Sequence, residues 1–194
     1  MTDRRVDLGR DLARIALFAA LIVVLGTVTV PLPGGVPITA QTLGVMLAGT
    51  VLGARRAPLA VLLVLVLAAI GLPVLAGGRG GLGVFAGPTA GYLLGWVVGS
   101  VVIGLIAHRA RITWWRTALA AVVGGIIVVY AFGIPVQALV LGVELAPTAL
   151  SSLAFLPGDL LKAAAATALT LALRRAYPPA FGPRLAQRAP ARAA

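Results

Sequence analysis

The charged residues of this sequence stand almost entirely outside its apolar runs, and all but the short second run are about long enough to cross a bilayer. Apolar segments bounded by Gly, Pro and Arg fall at about residues 12–30, 38–53, 57–74, 86–107, 117–141 and 153–173. A hydrocarbon core about 30 Å thick takes about 20 helical residues. Inside it a backbone must satisfy its own hydrogen bonds, which a helix does. The spacing predicts an all-α integral membrane protein with six transmembrane helices. A chain that is 60% hydrophobic and 11% charged, with a mean hydropathy of +1.06, has too little polar surface for a soluble domain. A single membrane domain is expected over residues 1–176, followed by a disordered Pro/Ala/Arg-rich tail over 177–194. The first run, preceded by Asp3, Asp7 and Asp11, reads as a retained span and not as a cleaved signal peptide.

Orientation follows from the basic residues, which mark cytoplasmic loops. Arg4, Arg5, Arg10 and Arg14 precede the first run; Arg55 and Arg56 join the second and third; Arg109, Arg111 and Arg116 join the fourth and fifth. Arg174, Arg175, Arg184, Arg188 and Arg192 follow the sixth, whereas the other face has only Arg79, beside Glu144. Both termini are therefore expected in the cytoplasm, with Trp114, Trp115 and Tyr177 at the inner interface.

The same composition excludes several activities. Net charge is +11, but the arginines lie scattered at the ends of apolar runs without interleaved aromatics, which argues against nucleic acid as a partner. There is no cysteine, and the only histidine, His108, has no second ligand type beside it, so neither a metal nor a cofactor is expected. The only lysine is flanked by Leu161 and Ala163, outside any phosphate-binding Gly-Lys-Ser/Thr motif. No nucleophile–base set or paired-carboxylate site is present, and an enzyme is not expected.

What remains is a small set of polar residues in apolar surroundings. Lys162 lies three positions after Asp159, so the two share a helix face. A charge in hydrocarbon costs about 2.5–3.5 kcal/mol on insertion scales, and such a pair needs a protein-lined or wet cavity. It serves either as an internal ion pair that locks helices together or as a ligand site. Pro157 and Gly158 place the start of the last helix just before it, and a helix N-terminus there would attract an anion. Gln41 and Tyr92 fall at the same expected depth, Thr89 lies with Tyr92 in the outer half of the fourth run, and Thr39, Thr42 and Gln137 are further polar groups. Phe85 and Tyr92 are candidates to cover an apolar ligand. The Gly/Pro-rich segments 31–37 and 76–83 cannot be helical throughout and could act as outer lids.

Two small-residue patterns bear on packing. Gly87, Gly91, Gly95 and Gly99 recur every four residues and would let a neighbouring helix approach closely, while Ala16 and Ala20 form a shorter pair in the first run.

Three stretches in order resemble the BioY family: Val36-Pro37-Ile38-Thr39-Ala40-Gln41-Thr42-Leu43, Gly71-Leu72-Pro73-Val74 through Gly87-Pro88-Thr89-Ala90-Gly91-Tyr92-Leu93, and Leu156-Pro157-Gly158-Asp159-Leu160-Leu161-Lys162. BioY proteins are the biotin-specific S components of energy-coupling factor transporters. The resemblance implies six helices, an outward-facing biotin site capped by the outer loops, and Asp159 and Lys162 as ligand contacts. It implies residence in the plasma membrane of a prokaryote and partners that hydrolyse ATP: a transmembrane T component and two cytoplasmic ATPases. It also implies that small residues of the first helix, here Ala16 and Ala20, form the docking face. An S component for another small vitamin would share this architecture. A self-sufficient secondary carrier using Asp159 for proton coupling is the competing class, for which an inverted repeat would speak, and none is evident.

Overall fold

The computed structural model describes residues 2–30 and 36–181, with side chains described from Leu8 onward. Helix α1 covers Thr2–Leu25. The strands β1 (Thr29–Val30) and β2 (Ile38–Thr39) then pair antiparallel, Thr29 opposite Thr39 and Val30 opposite Ile38. Next come α2 (Gln41–Leu52) and α3 (Ala57–Ala69), joined by a short turn at Gly53, whose φ of 79° and closeness to the His108 ring leave no room for a side chain. Helix α4 covers Ala90–His108. After it, α5 (Trp114–Val122), a π-helical segment (Val123–Val128) and α6 (Val129–Leu141) run on as one length of helix. Finally α7 (Leu145–Ser152) passes through a single 3-10 turn (Leu153–Phe155) into α8 (Leu156–Ala176).

Three of these lengths, Ala90–His108, Trp114–Leu141 and Leu145–Ala176, are long and apolar enough to cross a membrane; α2 and α3 are shorter apolar helices. The outward surface suits lipid, since Leu62, Leu94, Leu105, Ile127, Leu139 and Leu161 are all exposed. The chain is thus an all-helical membrane protein apart from the short β-ribbon.

Helix α4 is the central element, packed on α2, α3 and the α5–α6 length. Its glycine stripe explains the closeness. A Cβ at Gly91 would meet Phe132 and Val136, one at Gly95 would meet the Val129 backbone, and one at Gly99 would meet the Gly124 carbonyl. The stripe is therefore spent within the chain.

One end of the molecule is tied by arginines. Arg56 Nε lies 2.8 Å from Asp11 Oδ2, Arg14 donates to the Pro179 carbonyl at 2.9 Å, and Arg174 donates to the Ile112 carbonyl. These contacts join the middle of α1, the α2–α3 turn, the α4–α5 connection and the end of α8. The β-ribbon and residues 71–89 lie at the opposite end.

As expected, the segment 76–83 is not helical throughout; within it Ala76–Gly78 and Leu82–Phe85 form 3-10 turns. Two other features differ from the sequence expectation. Pro157 does not open a free helix N-terminus: α7 and the 3-10 turn lead straight into α8, so the backbone donors near Asp159 are not left for an anion. Proline is tolerated there because it occupies the first turn after a change of helix type. Past α8 the chain does not fall away at once; Pro178–Phe181 makes a packed turn with Phe181 buried against the core. The rest of the expected tail, 182–194, and most of the first outer segment, 31–35, lie outside the described residues.

Candidate ligand-binding site

At the β-ribbon end a cavity opens among α2, α4, α6, α8 and the 75–79 segment. Asp159, Lys162, Gln41, Thr42, Thr89, Tyr92, Tyr130, Trp96 and Arg79 supply its polar groups, and Val36, Leu75, Leu93, Val129 and Phe155 its apolar wall. Five of the residues singled out in the sequence, Asp159, Lys162, Tyr92, Gln41 and Thr89, thus meet around one space. Phe85 does not; it sits half-exposed in the Leu82–Phe85 turn outside the lining.

Asp159 is 5% exposed and heavily coordinated. Lys162 Nζ donates to Oδ1 at 2.8 Å, the Tyr130 hydroxyl donates to Oδ2 at 2.7 Å, and the Thr42 hydroxyl approaches Oδ1 at 3.4 Å. The i, i+3 spacing on α8 brings lysine and aspartate together, while Tyr130 reaches in from the first turn of α6. Three donors thus fix the carboxylate, and its remaining lone pairs can still accept from a ligand.

Tyr92 occupies the neighbouring wall. Its hydroxyl donates to Gln137 Oε1 at 2.8 Å, with Ser152 Oγ at 3.4 Å, and its ring meets that of Tyr130 edge-on at 6.4 Å. Gly133 lies against that ring where a side chain would collide. The phenol is fixed in place, so Tyr92 offers the cavity mainly its ring.

Gln41 is 1% exposed, and its amide is committed in both directions. Nε2 donates to the Val74 carbonyl at 3.0 Å, and Oε1 accepts from the Ala76 N–H at 3.1 Å. That pair clamps the segment carrying Leu75 and Ala76 across the cavity. The clamp extends to Arg79: Leu75 and Arg79 exchange two backbone hydrogen bonds, and Arg79 Nε donates to the Ala76 carbonyl at 3.1 Å. Arg79, the lone outer arginine of the sequence, is thereby held as part of the lining, facing the same space as Asp159 and Lys162.

Tyr130, Trp96, Arg79 and Phe155 were not expected as site residues from the sequence. Tyr130 carried one available signal, a phenol in the middle of an apolar run, since a buried Tyr hydroxyl needs a partner. Ala16 and Ala20 are remote from the cavity. They lie with Leu12, Leu17 and Val24 on the exposed face of α1, whose other face, with Phe18, Ala19 and Ile22, is buried against α2 and α3. Among the described residues no group of three His, Cys, Asp or Glu side chains could hold a metal.

Comparison with known proteins converges on one family. The model of the BioY family matches residues 1–179. A biotin transporter BioY of Rhizobium etli is 51% identical over 179 residues, covering 87% of this chain and 95% of the relative. One of Rhodobacter capsulatus is 54% identical over 166 residues, covering 79% and 87%. Among solved structures, the S component for biotin from an ECF-type ABC transporter superposes with a TM-score of 0.82 at 31% identity, covering 90% of this chain and 94% of that one.

Proposed function

The chain belongs to the BioY family, and from that membership we propose that it is the substrate-binding membrane component of an energy-coupling factor uptake system for biotin. The observation that carries this reading is the distribution of charge around the cavity. Biotin presents two ureido N–H donors and a carbonyl, an apolar bicyclic body, and a carboxylate on a flexible chain. Asp159, held by Lys162 and Tyr130, accepts from the ureido N–H groups. Arg79 on the clamped outer segment pairs with the carboxylate, since Lys162 is already engaged by Asp159. Leu75, Leu93, Tyr92 and Phe155 cover the rings.

In this reading the chain crosses the membrane six times, by α1, α2, α3, α4, the α5–α6 length and the α7–α8 length, with both termini in the cytoplasm of a prokaryote. The arginine-tied end then faces inward, in keeping with the positive-inside rule, and the cavity faces outward. With no nucleotide-binding motif of its own, the chain takes its energy from a T component and two ATPases, which dock on the Ala16–Ala20 face of α1.

The decisive experiment is to purify the protein, identify the co-purifying small molecule by mass spectrometry, and titrate the ligand-free form with biotin, thiamine and riboflavin. Tight binding of biotin alone is expected; preference for either other vitamin overturns the assignment. Topology is tested separately on the cysteine-free background: Leu82→Cys should react with an impermeant maleimide in intact cells.

A further inference from the structure

Trp96 sits on α4 one turn below Tyr92, lines the cavity, and is 6% exposed. Its indole Nε1–H is fully buried and has no acceptor among the described residues. A buried donor left unpaired is costly, and native interiors rarely keep one without a reason. Of the amide acceptors around the cavity, Gln137 Oε1 is taken by Tyr92 and Gln41 Oε1 by Ala76. Trp96 lines the cavity, so a ligand bound there can supply the missing acceptor.

We propose that Trp96 is a specificity-determining residue whose indole N–H donates to the ureido carbonyl oxygen of the bound ligand. The inference rests on the biotin reading above and deepens it. Three considerations select that oxygen over the carboxylate. Trp96 lies a full turn deeper along α4 than Tyr92, away from the segment that carries Arg79. A neutral cyclic urea is far cheaper to bury at that depth than an anion. And a single neutral N–H suits a carbonyl, whereas the carboxylate has a guanidinium available at the cavity's outer side. The ligand's polar head would then be read from both sides, its N–H groups by Asp159 and its oxygen by Trp96.

A site built to hydrogen-bond one group discriminates strongly against analogues that lack it. The test compares biotin with 2-iminobiotin, whose guanidinium form at neutral pH offers no acceptor at that position, by calorimetry on wild type and Trp96→Phe. Wild type must first bind biotin; if it does not, the biotin reading has failed and the proposal falls with it. Given that binding, Trp96→Phe should weaken biotin by about 10-fold while changing 2-iminobiotin by less than about 2-fold, because only biotin loses a hydrogen bond. Equal losses for both ligands would mark a packing effect and overturn the proposal, as would unchanged biotin affinity. If Trp96→Phe does not fold, the wild-type comparison decides: equal affinity for the two ligands overturns the proposal, and a strong preference for biotin, together with a downfield shift on biotin binding of the one indole 15N–H resonance that belongs to a buried tryptophan, sustains it.

Discussion

The Tyr130 hydroxyl donates to Asp159 Oδ2 at 2.7 Å, on the oxygen that Lys162, bonded to Oδ1, leaves free. The carboxylate is therefore fixed by two helices at once, α6 through the phenol and α8 through the lysine. Replacing Tyr130 by Phe keeps the ring and removes the donor. Biotin affinity should fall by about 10-fold, because a hydrogen bond to a charged group is worth about 1.5–3 kcal/mol. Calorimetry on the ligand-free variant measures this, and unchanged affinity would show that the phenol does not position the carboxylate.

Asp159→Asn should cost at least as much, since it removes the charge that both Lys162 and the ligand use. The informative variant is the double change Asp159→Leu with Lys162→Met. Apolar replacements of buried ion pairs are often neutral or stabilising, so this protein should melt no lower than wild type yet fail to bind biotin. Near-native affinity in the double variant would reduce the pair to a structural lock.

For Gln41 the expectation is kinetic. Gln41→Leu deletes both bonds to the Val74–Ala76 segment and leaves the buried Ala76 N–H unpaired, a loss of about 1–3 kcal/mol. Biotin should dissociate several-fold faster with little change in association, as the segment over the cavity loses its clamp. Stopped-flow exchange against labelled biotin reads both rates; a slower association with unaltered dissociation would argue that Gln41 touches the ligand on entry instead.

The exposed face of α1 gives a separable outcome. Ala16→Trp or Ala20→Trp adds bulk on a face that the described residues leave exposed, so binding should be untouched while biotin uptake drops, because a bulky side chain keeps a partner helix from approaching. Growth of a biotin-dependent strain on limiting biotin, beside calorimetry on the purified variants, separates the two effects. Full uptake by both variants would place docking elsewhere.

What could be read from the sequence was whatever broke a pattern. Asp159 and Lys162 interrupt an apolar run, Gln41 stands between Thr39 and Thr42, Thr89 follows Pro88, and each breaks the uniform hydropathy around it. Trp96 breaks nothing and Tyr130 offers only its hydroxyl: both sit inside long apolar stretches where an aromatic facing lipid and one facing a cavity look alike. Only packing tells them apart. Gln41 was legible as a residue of the site but not as a clamp, because its partners are backbone groups more than thirty positions away. Phe85 was expected at the cavity and Phe155 was not, for a similar reason, since which phenylalanine meets the cavity depends on how the 82–85 turn folds.

The π-helical segment Val123–Val128 makes the Trp114–Leu141 length a poor ruler. Bonds that skip five residues where four are usual absorb a surplus residue, and everything beyond is clocked by about 100° relative to an unbroken helix. Two separately indexed rods thus share one axis, and crosslinks or face assignments mapped on Trp114–Val122 do not carry over to Val129–Leu141. Losing a single residue from this segment would barely shorten the helix. It would swing Tyr130 off Asp159, so the length of chain between the two ends, and not only its composition, is part of what writes the site.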